Sequence, residues 1–474
     1  MHSDSALSPR ASASLTWGLA LFLIANAFAL NGALWLGSKA FGLDKLPAEQ
    51  AVNYHGTVLQ HSWDVLHGRG CDDSWGIMTF AYEYAESPHT TPLYTEIFFN
   101  RKLKFQYPLS SLFAIAAMVK IAGREHMRTD ECQVFDVPPI NDFLGWGFIF
   151  ITAAASAALL EVGLRRRGVA RSAGMVAARV AIVAGLTLTF YPVVKAFTLG
   201  QIQLWINGVF ALALLGWALG HKAASGAFIG LMCLIKPHYG LFIVWGLLRR
   251  EWRFAFGCAA MVVAGVGASF AVYGWTDNVD YLKVFWFLSQ RGEAYYPNQS
   301  VNGLLSRLMS LADPVGYKNV DFDDNSFPPF NLWVYGPVLL TSLIIVAAAL
   351  FRRGTDGDPD RRFDFATMAL SITMASPIAW EHHYGIVFPI FAVLLAGAIG
   401  QRARVVWLAA SYVLISNFIP AANLLAYTAA NFVQSYLFAG ALILLVLLHR
   451  ARPGLYGVGS MAPPGVGAPL KSAV

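Results

Sequence analysis

The chain has 474 residues, 56% of them hydrophobic and 13% charged, with a mean hydropathy of +0.51. Soluble proteins carry about 25% charged residues, so half the usual charge is missing and the composition is that of an integral membrane protein. The net charge of +6 does not indicate nucleic acid as a partner. The arginines cluster in short connections between apolar runs, where they set the orientation of membrane spans.

The first apolar run, Leu15 to Phe41, is too long and too poorly flanked for a cleaved signal peptide and reads as a span. A hydrophilic region follows at about 42–141, carrying Asp64, the sequence Cys71-Asp72-Asp73-Ser74-Trp75 and the aromatics Trp63, Phe80, Tyr82 and Tyr84. Inside it, 108–122 is apolar but short, which suits a re-entrant or interfacial helix. Further spans are predicted at 142–164, 173–195, 202–220, 223–235, 238–249, 254–274, 332–351, 363–379, 384–400, 404–424 and 430–448. Lys236-Pro237 splits the stretch 223–249, because proline removes a helix hydrogen bond. A second hydrophilic region covers about 275–331. The expectation is an all-α integral membrane protein of about 12 transmembrane helices, one polytopic domain over 1–454, and a disordered cytoplasmic tail at 455–474.

Basic residues choose the topology. With the N-terminus cytoplasmic and 108–122 not crossing, Arg165–Arg167, Arg171, Lys222, Arg249, Arg250, Arg253, Arg352, Arg353, Arg361, Arg362, Arg402, Arg404, Arg450 and Arg452 all face the cytoplasm. Counting 108–122 as a crossing would put Arg165–Arg167 outside and invert everything after them. The chosen topology collects Asp64, Asp72, Asp73, Gln201, Lys236, Asn298-Gln299 and Glu381-His382-His383 at the external face, from five parts of the chain.

These groups suit particular chemistry, and each has a plainer reading beside it. Paired acids near a membrane can have one pKa raised into the range of a general base; a solvated loop with interfacial aromatics explains the same pattern. Two helices of about 13 residues reach roughly 20 Å, so the Lys236 turn lies below the outer surface. An ammonium there calls for an anion such as a lipid phosphate, or else snorkels to the interface. His382 and His383 can hydrogen-bond a phosphate or shuttle protons, but adjacent histidines do not share a helix face as the ligands of a helical zinc motif do. Gln201 caps a helix or holds a sugar hydroxyl, and Asn298-Gln299 taken alone is a loop turn.

In this order the motifs resemble glycosyltransferase family 87, a family of membrane-embedded C-type glycosyltransferases. The resemblance runs over about 15–450 through the Asp72-Asp73 pair, Phe105-Gln106-Tyr107-Pro108-Leu109, Leu199-Gly200-Gln201, Ile235-Lys236-Pro237, Asn298-Gln299-Ser300 and Ser376-Pro377-x-x-Trp380-x-His382-His383. Leu109 departs from the family's usual second proline. The resemblance implies a C-type architecture with external juxtamembrane or re-entrant helices in the first loop. It also implies transfer of a sugar, mannose in the best-known members, from a polyprenyl-phosphate donor to a glycan or glycolipid acceptor. The site would face the exterior of a bacterial plasma (inner) membrane.

Asp73, ahead of Asp72 and then Asp64, would act as general base. Lys236, His382 and His383 would hold the donor phosphate, and Tyr107, Gln201, Gln299, Trp380 and Glu381 the remainder of the substrates. Attack opposite the phosphate would invert the anomeric centre. No metal or other cofactor is expected, because lipid phosphate is a good leaving group and Lys236 and the histidines can receive its charge. A transporter or flippase would also use a broken helix and buried charge, but its charges would spread along a path rather than crowd one face. A lipid-linked ligase would recognise the same phosphate, whereas a scaffold would explain neither Lys236 nor the paired histidines. Cys233 and Cys258 are expected to be packed in apolar segments. Cys71 and Cys132 would share an oxidising compartment in which a disulfide is permitted.

Overall fold

The computed structural model describes residues 9–40, 42, 57–71, 73–123, 135–136, 139–169, 172–311, 327–352 and 361–451. Its regular structure is helical apart from one short antiparallel pairing, Arg69–Gly70 against Phe135–Asp136. The first apolar run forms α1 (Pro9–Ile24) and α2 (Asn31–Ala40), joined by a π turn at Ala25–Leu30. Asn26 and Asn31 are buried at this turn. Asn31 Nδ2 donates to Asn417 Oδ1 at 2.7 Å, and Asn417 Nδ2 donates to Asn26 Oδ1 at 2.9 Å. Amides in an apolar bundle are tolerated when paired in this way, and the pairing ties the first helix to the last third of the chain.

The first hydrophilic region contributes α3 (Val58–Leu66), α4 (Asp73–Glu86) and α5 (Leu112–Ala122). The bundle continues through α6 (Pro139–Arg166), α7 (Ala173–Leu188), α8 (Tyr191–Thr198), α9 (Gln203–Ala218), α10 (Lys222–Cys233), α11 (Leu241–Leu248), α12 (Trp252–Arg291) and α13 (Val301–Leu308). It closes with α14 (Leu332–Leu350), α15 (Arg362–Ala375), α16 (Val387–Ala398), α17 (Arg402–Ser416) and α18 (Tyr436–Arg450).

Each of the twelve apolar segments read from the sequence is helical, but they differ in reach. Among the described residues six stretches are long and apolar enough to cross a membrane alone: Ser12–Ala40, Pro139–Arg166, Trp252–Arg291, Leu332–Leu350, Glu381–Ala398 and Asn431–Arg450. A seventh results if α7 and α8, bent by 56°, form one span. The protein is therefore a multi-pass helical membrane protein with six or seven spans by this measure, where the sequence led to about 12. Helices α9, α10, α15 and α17 have 16, 12, 14 and 15 residues. At 1.5 Å per residue they rise only about 18–24 Å, less than the hydrocarbon thickness.

Two further features shape the bundle. A Cβ on Gly226 would meet the Phe254 carbonyl oxygen at 2.1 Å, and one on Gly257 that of Ala223 at 2.3 Å. The backbones of α10 and α12 thus touch directly, as small residues allow in lipid. The expected end of the span at 274 coincides with a break in α12, where Gly274 leaves helical backbone (φ 76°). The helix then runs on to Arg291, so the second hydrophilic region begins as a helix.

Helix ends gather in an arginine layer. Arg166 donates to the Ala218 carbonyl (2.7 Å), Arg167 to that of Gly397 (2.8 Å) and Arg352 to that of Leu448 (3.0 Å), while Arg249 pairs with Asp364 (2.7 Å). These guanidiniums satisfy carbonyls that a helix C-terminus leaves open and complement its partial negative charge.

Candidate active site

The acid side of the site is built by a helix ending. Gly200 takes φ +63° at the end of α8, and the Gln201 amide donates back to the Ala196 carbonyl at 2.9 Å. This is a Schellman cap, and glycine is the residue that adopts its left-handed position without strain. The carbonyls it leaves outside the helix receive the start of α4: Cys71 N donates to Thr198 O (2.8 Å), Asp73 N to Leu199 O (2.9 Å) and Ser74 N to Gly200 O (3.1 Å). Leu199-Gly200-Gln201 is therefore a backbone device that seats Asp73. Cys71 is disulfide-bonded. Cys132 and Asp72 lie outside the described residues, while Cys233 and Cys258 are buried free thiols.

Four side chains form one network here. Gln201 Nε2 donates to Asp73 Oδ2, and Gln201 Oε1 accepts from Ser74 Oγ (2.6 Å) and Tyr107 OH (3.3 Å). Ser74 Oγ and Tyr107 OH are 3.0 Å apart. Loss of hydration pushes the Asp73 carboxyl up to about 6; the Gln201 hydrogen bond and the charges of Lys104 and Lys195 pull against that shift, and Glu293 adds to it.

The opposite wall carries the cations and imidazoles. Lys236 sits in extended backbone (φ −131°, ψ 94°) before Pro237, the conformation a residue before proline prefers. Among the described residues no carboxylate or carbonyl pairs with its ammonium. His382 and His383 occupy the 3₁₀ turn Glu381–Ile386 that opens α16, their rings 4.7 Å apart and nearly perpendicular. Trp380 Nε1 donates to Glu293 Oε2 (2.5 Å), and Lys104 Nζ lies 3.2 Å from Glu293 Oε1.

A cavity of about 460 Å³ unites the two walls. Asp73, Tyr107, Gln201, Lys236, Trp380, His382 and His383 all line it. Its remaining wall is apolar and includes Phe285, Leu288, Leu339, Leu343, Val346 and Ile372. Helices α9, α15 and α16 each start or end near this cavity and have the other end in the arginine layer, so the two lie at opposite ends of the bundle. Among the described residues no three His, Cys, Asp or Glu side chains converge into a group that could hold a metal ion.

Three expected site residues stand elsewhere. Asp64, on α3, does not line the cavity. Gln299 is fully buried and all its amide atoms hold backbone: Nε2 donates to the carbonyls of Tyr296 (2.7 Å) and Gln434 (2.8 Å), and Oε1 accepts from Phe438 N (3.1 Å). Glu381 is buried away from the cavity and accepts from Tyr191 OH at 3.0 Å. Sequence reading did not single out Ser74, Lys104, His238 or the buried partner Glu293. Ser74 stood within the quoted Cys71–Trp75 motif. Lys104 and Glu293 are 189 positions apart, so no local pattern announces their pairing.

Comparison with known proteins adds to this geometry. Residues 138–377, more than half the chain, match the sequence profile of Glycosyltransferase family 87. A polyprenol-phosphate-mannose-dependent alpha-(1-2)-phosphatidylinositol mannoside mannosyltransferase of Mycolicibacterium smegmatis is 26% identical over 241 residues, 48% of this chain and 49% of the relative. A protein of the same description from Mycobacterium tuberculosis is 29% identical over 234 residues, again 48% and 49%. The chain spans about half the length of the curated relatives it matches. No solved structure matches it.

Proposed function

The chain belongs to glycosyltransferase family 87, and on that footing we propose that it transfers a sugar from a polyprenyl-phosphate donor to a glycan or glycolipid acceptor at the external face of a bacterial plasma membrane. The observation that carries this reading is the cavity, with a half-buried acid on one wall, an ammonium and two imidazoles on another, and a third wall that is apolar. That apolar wall includes Phe285, 53% exposed, and Leu343, 59% exposed, so it continues onto the outer surface of α12 and α14. A prenyl chain can lie along such a surface while its phosphate reaches Lys236. Both relatives are named for a mannose donor, so mannose is the sugar proposed. We also read the twelve apolar segments as crossings in a C-type architecture, with α5 at the surface. This puts the arginine layer in the cytoplasm and the cavity outside.

In the proposed reaction the Asp73 carboxylate takes the proton of the acceptor hydroxyl as its oxygen bonds to the anomeric carbon. The bond from that carbon to the phosphate oxygen breaks, and its electron pair leaves with the polyprenyl phosphate. Lys236, His382 and His383 receive the growing negative charge, and Tyr107 and Trp380 border the sugar. The acceptor attacks from the face opposite the phosphate, so the anomeric configuration inverts. Asp73 then returns its proton to water. The test is turnover of synthetic short-chain polyprenyl-phosphate mannose, and of analogues bearing other sugars, with glycolipid acceptors and purified protein. A product of retained configuration, or no transfer from any polyprenyl-phosphate sugar, would sink the reading.

A further inference from the structure

Gln201 lines the cavity and could be taken for a residue that grips a sugar hydroxyl. Its side chain is only 7% exposed, and both ends of the amide are engaged. Chemistry fixes which end is which. A carboxylate only accepts, so the nitrogen must face Asp73, and the oxygen then faces the hydroxyls of Ser74 and Tyr107. The shorter contacts define one direction of donation. Tyr107 OH donates to Ser74 Oγ (3.0 Å), Ser74 Oγ to Gln201 Oε1 (2.6 Å) and Gln201 Nε2 to Asp73 Oδ2. Every donor points toward the acid, so each bond polarises the next. Among the described residues, Asp73 Oδ1 has no hydrogen-bond partner and is left for a substrate.

We propose that Gln201 is the positioning residue for Asp73, holding one carboxylate oxygen so that the other meets the acceptor hydroxyl, and is itself aligned by Ser74 and Tyr107. The inference rests on Asp73 being the base. Other groups also act on that acid. Lys104 and Lys195 favour its charged form, Glu293 disfavours it, and Tyr107 and Tyr295 lie within its field. Of these neighbours only Gln201 is a side chain that donates a hydrogen bond to the carboxylate. Removing that donor makes the carboxylate harder to form, so a higher pH is needed to ionise it.

The experiment is kcat against pH, with KM for donor and acceptor, for wild type, Gln201→Met and Ser74→Ala. The wild-type acid limb is expected near pH 6. Gln201→Met should move it up by about one unit, which lowers kcat about fivefold at pH 6 and approaches tenfold below about pH 5, while both KM values change far less. Ser74→Ala should move the limb the same way by less, because the amide loses one anchor. If Gln201→Met does not fold, the Ser74→Ala limb decides, and an unmoved limb there overturns the proposal. A limb that stays in place while a KM rises also overturns it, because that is the signature of a residue holding a sugar. Full activity in Asp73→Asn with no wild-type acid limb would show instead that the base itself is misassigned.

Discussion

The wall around Asp73 and the paired loops 293–300 and 376–381 both carry conspicuous polar motifs, yet their side chains are committed very differently. In the loops, Asn298 Nδ2 donates to the carbonyls of Glu293 (2.8 Å) and Pro377 (3.0 Å), and its Oδ1 accepts from Ala379 N (3.0 Å). Gln299 is likewise used up on backbone. Around Asp73 one carboxylate oxygen remains open to a cavity, as does the Lys236 ammonium on the opposite wall. The difference shows that a polar motif in a membrane protein can serve the backbone or the substrate. What separates the two is whether any atom is left over after the fold is satisfied.

The comparison breaks most sharply at Asp73. Asp73→Asn should lower kcat/KM for sugar transfer by about 10³-fold, within the usual range for loss of a general base; activity near wild type would place the cavity's chemistry elsewhere. Lys236→Met should cost about 10²-fold in turnover, comparable to removing one preorganised donor from a developing charge. Steady-state rates with the short-chain donor read both. Gln299→Met probes the other region. It strands buried backbone groups and should lower unfolding stability by about 3 kcal/mol. Thermal unfolding in detergent reads the loss, and a raised KM with unchanged stability would return Gln299 to the substrate.

Smaller effects sharpen the picture. A base must be ionised to act, so turnover should fall as pH drops through about 6, where burial places the Asp73 carboxyl. Each further unit of acidity should then cost roughly tenfold. A flat profile between pH 5 and 8 would contradict Asp73 as the base. Stripping divalent metal with a chelator should leave turnover unchanged, because Lys236 and the histidines carry the phosphate charge. Inactivity restored only by Mg²⁺ or Mn²⁺ would show that they do not.

Much of this protein is legible in its sequence because the causes are local. Apolar runs are helical in place, and Pro237 and Gly200 mark a break and a cap through their own backbone restrictions. Among the described residues, marker arginines such as Arg166, Arg167, Arg249 and Arg352 gather at one end of the bundle, opposite the cavity. Span count was less legible. Among the described residues only six stretches pass for spans by length and composition alone, because the helical parts of α9, α10, α15 and α17 are shorter than the hydrocarbon is thick, so their crossing belongs to the proposed topology. Helix α12 also continues past Gly274 into residues that look hydrophilic, because that segment packs on the first loop: Asp277 Oδ1 accepts from Leu93 N at 2.9 Å.

By itself the sequence determined the helical membrane class, the separation of basic connections from polar motifs, and the acid, lysine and histidines that share a cavity. Only the tertiary structure decided what each polar atom touches. It turned Gln201 toward Asp73, Gln299 and Glu381 away from the cavity, and joined Lys104 to Glu293. The physical reason is range. Hydropathy and backbone preference act over a few residues, whereas a side chain's partner arrives from 128 positions away, as for Asp73 and Gln201, and is set only when the helices pack.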